Sequence, residues 1–248
     1  MLYHCLLIGL QDLSLDTKQR LTPEQLETEI RENLTLKDRV AFKILCMKPD
    51  DPYITSLLES RKDGMYPFGS GEELSSGSEE ELNPYLSEED LRAQLLYEEG
   101  MRSRNAFVRE WFAFNLNLNN ILSAVICRKH GFDLKKAIVG EGEVQEALRT
   151  SNAKDFGLSA TLPEIDDILR LSEVEDLYER EKKTDALRWK WLEEKTLFSY
   201  FEAENVFAYW LQAQMLFRWD ILNKEEGERI FRELIADMKR DIHFDKNK

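Results

Sequence analysis

The two most apolar stretches of the chain are residues 107–126, FVREWFAFNLNLNNILSAVI, and residues 197–222, LFSYFEAENVFAYWLQAQMLFRWDIL. The second holds eight aromatic side chains, which cover more than one face of a helix. A helix that is apolar on nearly every side is either central in a bundle or partly offered to another protein, and central burial is the commoner case. We therefore interpret both stretches as helical and the second as central to the fold.

Helix-breaking residues are sparse along the whole chain. Only 11 glycines and 6 prolines occur among 248 residues, and the single proline after Ser87 is Pro163. Leu, Glu, Lys and Arg, which favour helices, are abundant, whereas a protein built from short strands needs turns every ~8 to 12 residues. The sequence predicts an all-α protein, a multi-helix bundle of long and short helices.

Four polar residues stand where a helix N-cap is expected, namely Thr22, Ser87, Ser172 and Asn223. Thr22 is followed by Pro23 and Gln25, which give a capping box with proline at the first helical position. Carboxylates follow Ser87 and Ser172 in the first turn, where the helix dipole favours negative charge. We predict a helix after each of the four. We also assign residues 2–10 to a helix, although their apolar run fits a buried strand as well.

The composition changes abruptly in residues 63–86, which are rich in Gly, Ser and Glu. Such a stretch buries too little apolar area to order itself, so we predict a surface loop. It separates an N-terminal helical segment, residues 1–62, from a helical core, residues 87–248, and we expect these two parts to form one compact unit. The acidity is local, because residues 72–99 hold ten acids and one base and thus carry −9 of the net charge of −14.

The remaining composition limits the partners of the protein. A net charge of −14 and a pI near 4.8 oppose binding to nucleic acid or to an anionic lipid surface. The sequence has no run of ~20 apolar residues and no recognisable secretory signal, so we expect a cytoplasmic protein without direct membrane insertion. The three cysteines, Cys5, Cys46 and Cys127, lie among apolar neighbours, which is typical of free buried thiols.

Signatures of catalysis, metal binding or cofactor binding are not recognisable in the sequence. The nearest fragment is Asp166-Asp167, which is similar to the first half of an aspartate-rich magnesium-binding helix, but Arg170 stands where a third aspartate belongs. We interpret the pair as two solvated acids early in a helix. The sequence therefore predicts no catalytic residues, no metal ligands and no cofactor, and a protein that is not an enzyme.

The apolar segment 107–126 is interrupted by Asn115, Asn117, Asn119 and Asn120. Asparagine is a poor helix former because its amide competes for backbone groups, so four within six residues need a reason. One interpretation is a helix kink or a buried amide network that neighbouring helices satisfy. The other is a polar seam that fixes the register of helix packing or contacts the backbone of a partner. We favour the first, and the two overlap.

Two segments share a pattern in which a longer helix precedes a short one. They are residues 110–122, EWFAFNLNLNNIL, followed by GFD at 131–133, and residues 201–219, with FAYWL at 207–211, followed by DIL at 220–222. Both resemble a repeated element of the C-type (also called d-type) stalk-to-ring component of V-type ATPases. The start of the chain, LLIGLQDLSLD at residues 6–16, is similar to an uncharacterised bacterial family whose members are encoded beside V-type ATPase subunits.

This resemblance covers nearly the whole chain and implies a funnel-shaped, all-helical, non-enzymatic subunit. Such a subunit seats the central rotor stalk on the membrane ring of an ion-translocating ATPase. The implied partners are the stalk and ring subunits, and the implied location is cytoplasmic, peripheral to the inner membrane through the complex. We expect partner contacts at motif residues Asn117, Asn119, Asn120, Tyr209 and Trp210. The sequence leaves the oligomeric state open.

Two other functions stay open on the residues alone. The first is a stand-alone helical adaptor whose acidic residues 72–99 bind a basic partner, with an affinity that falls steeply as salt rises. The second is a lipid-diphosphate enzyme that uses Asp166 and Asp167 with magnesium.

Overall fold

The computed structural model describes residues 3–14, 21–62 and 85–221. All regular structure in these ranges is helical, which confirms the predicted all-α class. The helices are α1 His4–Gly9, α2 Pro23–Asn33, α3 Leu36–Cys46, α4 Pro52–Lys62, α5 Glu88–Met101, α6 Ala106–His130, α7 Glu143–Thr150, α8 Ile165–Ser172, α9 Leu177–Thr196 and α10 Ala203–Ile221, with a short 3-10 helix at Leu134–Lys136. The finer expectation of a bundle or a funnel concerns the overall shape and stays a prediction.

The chain divides into two compact units. Unit 1 comprises residues 1–35 and 192–248, and unit 2 comprises residues 36–191, so that the boundary falls inside α9. The division predicted from composition, into 1–62, 63–86 and 87–248, stays a prediction. Most of its acidic loop lies outside the described residues.

In unit 2, the longest of the described helices is α6, which packs against α5, α7 and α8. Asn105 caps its first turn by accepting the Val108 N–H at 3.1 Å, and Gly131 ends it in the left-handed conformation, at a φ of 70°. Side chains on several faces of α6, among them Leu118 and Ile121, are buried, because different helices cover different faces. The helix predicted in 107–126 is therefore confirmed.

In unit 1, α2 packs against α10. Four side chains of these two helices are fully buried or nearly so, namely Leu26, Ile30, Val206 and Phe207. The helix predicted for residues 2–10 is present as α1, and the Tyr3 N–H just before it donates to the Phe201 carbonyl at 3.0 Å. The choice of a helix over a strand for this run is therefore confirmed.

Two of the predicted helix starts are confirmed. The Thr22 hydroxyl accepts the Gln25 N–H at 3.2 Å, and Gln25 Oε1 accepts the Thr22 N–H at 3.0 Å, which completes a capping box for α2. The Ser87 hydroxyl oxygen accepts the Asp90 N–H at 3.1 Å at the start of α5. The predicted start at Asn223 lies outside the described residues.

The helix start predicted at Ser172 is wrong. α8 continues through Ser172, whose hydroxyl donates to the Leu169 carbonyl at 2.5 Å instead of capping a new helix. α9 begins further on with Asp176 as its cap, since the Asp176 carboxylate accepts the Glu179 N–H at 2.8 Å. The buried stripe of α8 runs to Leu171 and keeps this turn helical, so packing overrides the local capping signal.

The apolar segment 197–222 is not a single helix. α9 ends before it and α10 begins at Ala203, so residues 197–202 form a connection. α10 is mostly buried, which confirms the burial predicted for the aromatic helix, whereas the connection exposes three large apolar side chains. None of the described helices, α6 and α10 included, combines the length and the apolarity that a membrane crossing requires.

The three cysteines are free, but only Cys127 is buried. Cys46 is half-buried and Cys5 is exposed. Cys5 is exposed because α1 buries its neighbour Leu6 instead. The prediction of buried thiols is therefore confirmed for Cys127 and wrong for Cys5.

Candidate functional site

The five predicted contact residues lie in both units. Asn117, Asn119 and Asn120 are on α6 in unit 2, and Tyr209 and Trp210 are on α10 in unit 1. The two halves of the sequence resemblance thus belong to different compact units.

Asn120 is buried, with only 2% of its surface exposed, and its side-chain amide pairs with one backbone residue. Its Nδ2 donates to the Val139 carbonyl at 2.7 Å, and its Oδ1 accepts the Val139 N–H at 2.9 Å. One amide therefore satisfies both polar groups of a residue in an irregular connection, which has no helical partner for them. Asn120 fits the interpretation as a buried amide and fixes the connection before α7 to the middle of α6.

Asn117 is half-buried and links α6 to α7. Its Oδ1 accepts a hydrogen bond from Gln145 Nε2 at 3.3 Å, and Gln145 is itself buried. A second link from α7 is made by Arg149, whose guanidinium donates to the Gly140 carbonyl at 2.7 Å. The connection between α6 and α7 is thus held by polar side chains of both helices.

A larger group of polar side chains joins α5, α6 and α9, and we call it the Arg188 network: Tyr97, Asn115, Asn119, Asp185 and Arg188. Arg188 Nε donates to Asn115 Oδ1 at 2.8 Å and its Nη2 to Asn119 Oδ1 at 3.2 Å. Its Nη1 lies 2.9 Å from an Asp185 oxygen. Asn119 Nδ2 completes the network by contacting the Tyr97 hydroxyl at 2.7 Å.

Burial sets the electrostatics of the Arg188 network. Asp185 is 1% exposed, and a buried carboxylate requires a cation or several donors close to it. Arg188 supplies that cation and extends its remaining donors to the two asparagines. Burial also raises the pKa of the Tyr97 hydroxyl, although its bond to Asn119 and the charge of Arg188 act in the opposite direction.

All four asparagines of the motif are therefore engaged within unit 2, and each links α6 to another part of that unit. Asn115 also donates to the Trp111 carbonyl at 2.9 Å, one turn earlier in α6. Of the three predicted contact residues on α6, only Asn119 is exposed. The arrangement matches the interpretation as a polar seam, and a partner contact of these residues stays a prediction.

In unit 1, Tyr209 is half-buried and donates its hydroxyl to the Gln11 carbonyl at 2.9 Å. Burial and the negative charges of Glu29 and Asp12 raise the pKa of Tyr209 to about 12. The ring borders a cavity of about 200 Å³. Trp210, the other predicted contact residue, is only 4% exposed and belongs to the core of the unit.

Sequence reasoning missed the most exposed aromatic residues of the segment 197–222. Phe198 is 84% exposed and Tyr200 is 71% exposed. A signal for the break before α10 exists in Asn205, because its Oδ1 accepts the Glu202 N–H, which is half of a capping box. That signal places 197–202 outside the helix.

Among the residues that the structure describes, the two acids considered for magnesium are not joined by further carboxylates into a metal site. Asp166 is exposed, and Asp167 lies 3.4 Å from Arg170 and 3.8 Å from Lys190. Within the described ranges, no three His, Cys, Asp or Glu side chains are grouped so as to hold a metal ion. The geometry therefore supports the interpretation of Asp166 and Asp167 as solvated acids. The expectation that the protein is not an enzyme stays a prediction.

Comparisons with known proteins add a family. The family model described as protein of unknown function, DUF2764, matches residues 70–242. No curated protein and no solved structure matches the chain. The matched range includes the asparagine motif, the Arg188 network and the whole of α10.

Proposed function

Since the chain belongs to the DUF2764 family, which is described as of unknown function and whose model covers well over half of the 248 residues, we propose its function from the residues of the chain itself. It is a non-catalytic subunit of a V-type ion-translocating ATPase and couples the central rotor stalk to the membrane ring. The chain is held on the cytoplasmic side, peripheral to the inner membrane through this complex.

The observation that carries the proposal is the arrangement around the asparagine motif of α6. The motif resembles one in the component that joins stalk and ring in V-type ATPases. In unit 2, its four amides link α6 to α5, α7, α9 and the connection before α7. Hydrogen bonds at fixed positions hold one register of helix packing, because sliding a helix by one residue breaks all of them together.

A coupling protein has to transmit force without deforming. Close-packed interiors have low compressibility, and buried polar groups that are fully paired add directional bonds to that packing. Asn120 and the Arg188 network provide such bonds on α6. In this proposal Asn120 and Trp210 act inside their units, and the exposed Asn119 is the motif residue best placed for a partner contact.

Deletion of the gene from the organism that encodes it tests the coupling role. Membranes without this chain should still hydrolyse ATP with their V-type ATPase but should lose ATP-driven ion transport. Re-expression of the wild-type chain is the control and should restore transport. Unchanged ion transport in the deletion strain would contradict the proposal.

Co-purification tests the proposed partners directly. The full-length chain, tagged and purified from membranes in mild detergent, should bring stalk and ring subunits of the ATPase with it. Recovery of no ATPase component would refute the assignment.

The acidic adaptor has less support from the described residues. Glu88 pairs with Lys62 and Arg92, and Glu98 lies 2.5 Å from Arg61, so part of the negative charge of α5 is neutralised within unit 2. Capture of a basic protein that is lost as salt rises, without any ATPase subunit, would favour the adaptor instead.

A further inference from the structure

The C-terminal end of α6 carries a basic surface that the net charge of the chain conceals. Residues 128–136, RKHGFDLKK, hold four Lys and Arg side chains and one acid, which gives +3 when histidine is counted as neutral. Lys129, His130, Lys135 and Lys136 are all exposed. This surface therefore has the opposite sign to the chain as a whole, which carries −14.

An exposed aromatic ring lies between these lysines in the sequence. Phe132 is 64% exposed, and its ring stacks on the ring of His130 with 5.7 Å between centroids. A β-carbon at the preceding Gly131 would meet nothing within 4 Å, so the turn that ends α6 projects into open space. We call the following residues the basic tip: Lys129, His130, Phe132, Lys135 and Lys136.

The three lysines of the basic tip have no ion-pair partner in the part of the chain that the structure describes. The acid between them, Asp133, uses its carboxylate to accept the Lys135 N–H at 3.0 Å and caps the short 3-10 helix. At the start of α5, which packs against α6, Glu88 is paired with Lys62 and Arg92. The positive charge of the basic tip is thus available to an anionic partner.

Contacts on the buried side hold the basic tip in one conformation. Arg128 donates to the Ser151 carbonyl, and its guanidinium carbon lies 3.7 Å from the centroid of the Phe156 ring. After the basic tip, Asn120 binds both backbone groups of Val139. A surface that is fixed before binding loses less conformational entropy on docking than a flexible one.

The shape and the chemistry of the basic tip favour a lipid surface as its partner. Basic side chains around an exposed aromatic ring are typical of elements that rest in the membrane interface, where the ring enters the headgroup region and the ammonium groups meet lipid phosphates. A projecting ring enters such a soft surface directly, whereas a protein partner needs a preformed pocket for it. Charges further away than about 8 Å are largely screened at physiological ionic strength, so the local charge governs a contact of this size.

We propose that the basic tip binds the surface of a bilayer that contains anionic phospholipids. Phe132 enters the interfacial region, and Lys129, Lys135 and Lys136 contact the lipid phosphates. This inference goes beyond the proposed function, in which other subunits hold the chain at the membrane, and does not depend on it. It departs from the expectation drawn from the net charge, because most of that charge comes from residues 72–99, outside the basic tip.

Co-sedimentation of the full-length chain with lipid vesicles tests the role of the charge. At physiological ionic strength, vesicles of phosphatidylglycerol and phosphatidylcholine in equal parts should sediment the wild type, and vesicles of phosphatidylcholine alone should not. Lys135→Glu combined with Lys136→Glu should lower the partition coefficient at least about tenfold.

The matched control is Lys182→Glu combined with Lys183→Glu. It makes the same change in net charge at two neighbouring exposed lysines of α9 in the same unit, and it should bind nearly as well as the wild type. Equal losses in the two double variants would show that the net charge and not the basic tip governs binding, which would overturn the inference.

A second pair of variants tests the role of the ring. Phe132→Ser should lower the partition coefficient at least about threefold, because it removes the apolar area that leaves water at the interface. Phe198→Ser removes an 84% exposed aromatic residue from unit 1 and should bind as the wild type does. Each of these variants changes only exposed side chains, so the melting temperature should stay that of the wild type.

Two further outcomes would overturn the inference. One is a wild-type chain that does not sediment with the anionic vesicles. The other is retention of the chain on immobilised poly-glutamate without binding to vesicles, which would make an acidic polypeptide the occupant of the basic tip. Neither outcome bears on the coupling function, whose tests are ion transport and co-purification with ATPase subunits.

Discussion

Gly100 of α5 faces the ring of Phe112 in α6 so closely that a β-carbon at position 100 would lie 2.1 Å from Phe112 Cγ. Both residues are buried in unit 2. Tyr97, about one turn earlier in α5, stands edge-on to the same ring with 6.3 Å between centroids. The ring of Phe112 therefore occupies the space that any other residue at position 100 needs, and the glycine sets the distance between the two helices.

Gly100→Ala should lower the free energy of unfolding by about 1 to 3 kcal/mol, which is the usual effect of overpacking a core. Alanine gains about 1 kcal/mol of helix propensity over glycine, but three ring atoms within 2.5 Å of the new carbon force the helices apart. Urea unfolding followed by far-UV circular dichroism measures the change.

Gly9→Ala in α1 is the matched control, because a β-carbon there meets nothing within 4 Å. It should leave the free energy of unfolding unchanged or raise it slightly. Equal destabilisation by the two substitutions would show that close packing at Gly100 is not the cause.

Asn120→Ala should destabilise unit 2 by about 1 to 3 kcal/mol, because it leaves the N–H and the carbonyl of Val139 without their partner in a largely buried place. Asn119→Ala is the comparison, since that side chain is exposed and water replaces its bonds; it should cost less than about 1 kcal/mol. Chemical denaturation of both variants decides the order. A larger loss for Asn119→Ala would contradict the structural role of Asn120.

Signals that act over a few residues predicted helix starts well, up to the point where packing overrode them. Thr22 with Gln25, and Ser87 with Asp90, form the caps that their spacing indicates. Ser172 carries a similar signal but remains inside α8, because the stripe ending at Leu171 packs on α6. Which signal prevails depends on a helix far away in the sequence, and no local pattern contains that information.

The polar contacts of the four asparagines of α6 were only partly predictable, because their partners also lie far away in the sequence. Four asparagines in an apolar helix indicate a polar cluster, but the partners of Asn119 are Tyr97 and Arg188, 22 and 69 positions away in the sequence. The partner of Asn120 is the backbone of Val139, which has no side-chain signature at all. The sequence therefore predicts that amides are satisfied but not what satisfies them.

Tyr209 should ionise unusually late, with a pKa of about 12. In the unfolded chain tyrosine ionises near pH 10, so between about pH 10 and 12 the unfolded state releases a proton that the folded state keeps. Its contribution to stability is complete below about pH 10 and is lost as the pH rises towards 12, at up to about 1.4 kcal/mol per pH unit.

Unfolding of the wild type and of Tyr209→Phe at a series of alkaline pH values tests this. The difference in free energy between the two proteins should be constant below about pH 10 and should shrink above it, because only the wild type has this group to ionise. When the folded proteins are titrated with alkali and followed by tyrosinate absorbance, the wild type should show one late-ionising tyrosine that the Tyr209→Phe variant lacks. A difference that stays constant up to pH ~12 would contradict the raised pKa.

Trp210→Ala should lower the free energy of unfolding by about 3 to 5 kcal/mol, since the residue is 4% exposed and its removal leaves a cavity in unit 1. Phe198→Ser, which removes an aromatic side chain from the same unit at an exposed position, should change it by less than about 0.5 kcal/mol. Thermal unfolding compares the two. A Trp210→Ala protein with an unchanged melting temperature would place Trp210 at an interface instead of in the core.

Arg188 and Asp185 should behave as one unit in a double-mutant cycle. Arg188→Leu leaves the buried Asp185 carboxylate without the cation 2.9 Å away and should lower the free energy of unfolding by about 3 to 5 kcal/mol. Asp185→Leu in turn leaves the Arg188 guanidinium without its carboxylate. The double variant removes both charges, so its loss should be smaller than the sum of the single losses by about 1 to 3 kcal/mol.

The exposed pair of Glu27 and Arg31 on α2 is the control for this cycle, and its coupling energy should be only about 0.3 to 0.5 kcal/mol. Urea unfolding of each set of variants provides the free energies. If the effects at Arg188 and Asp185 simply add, the network does not hold α9 to α6 in one register. The mechanical argument for a coupling role then loses its support in unit 2, because α6 would be free to slide against α9 under load.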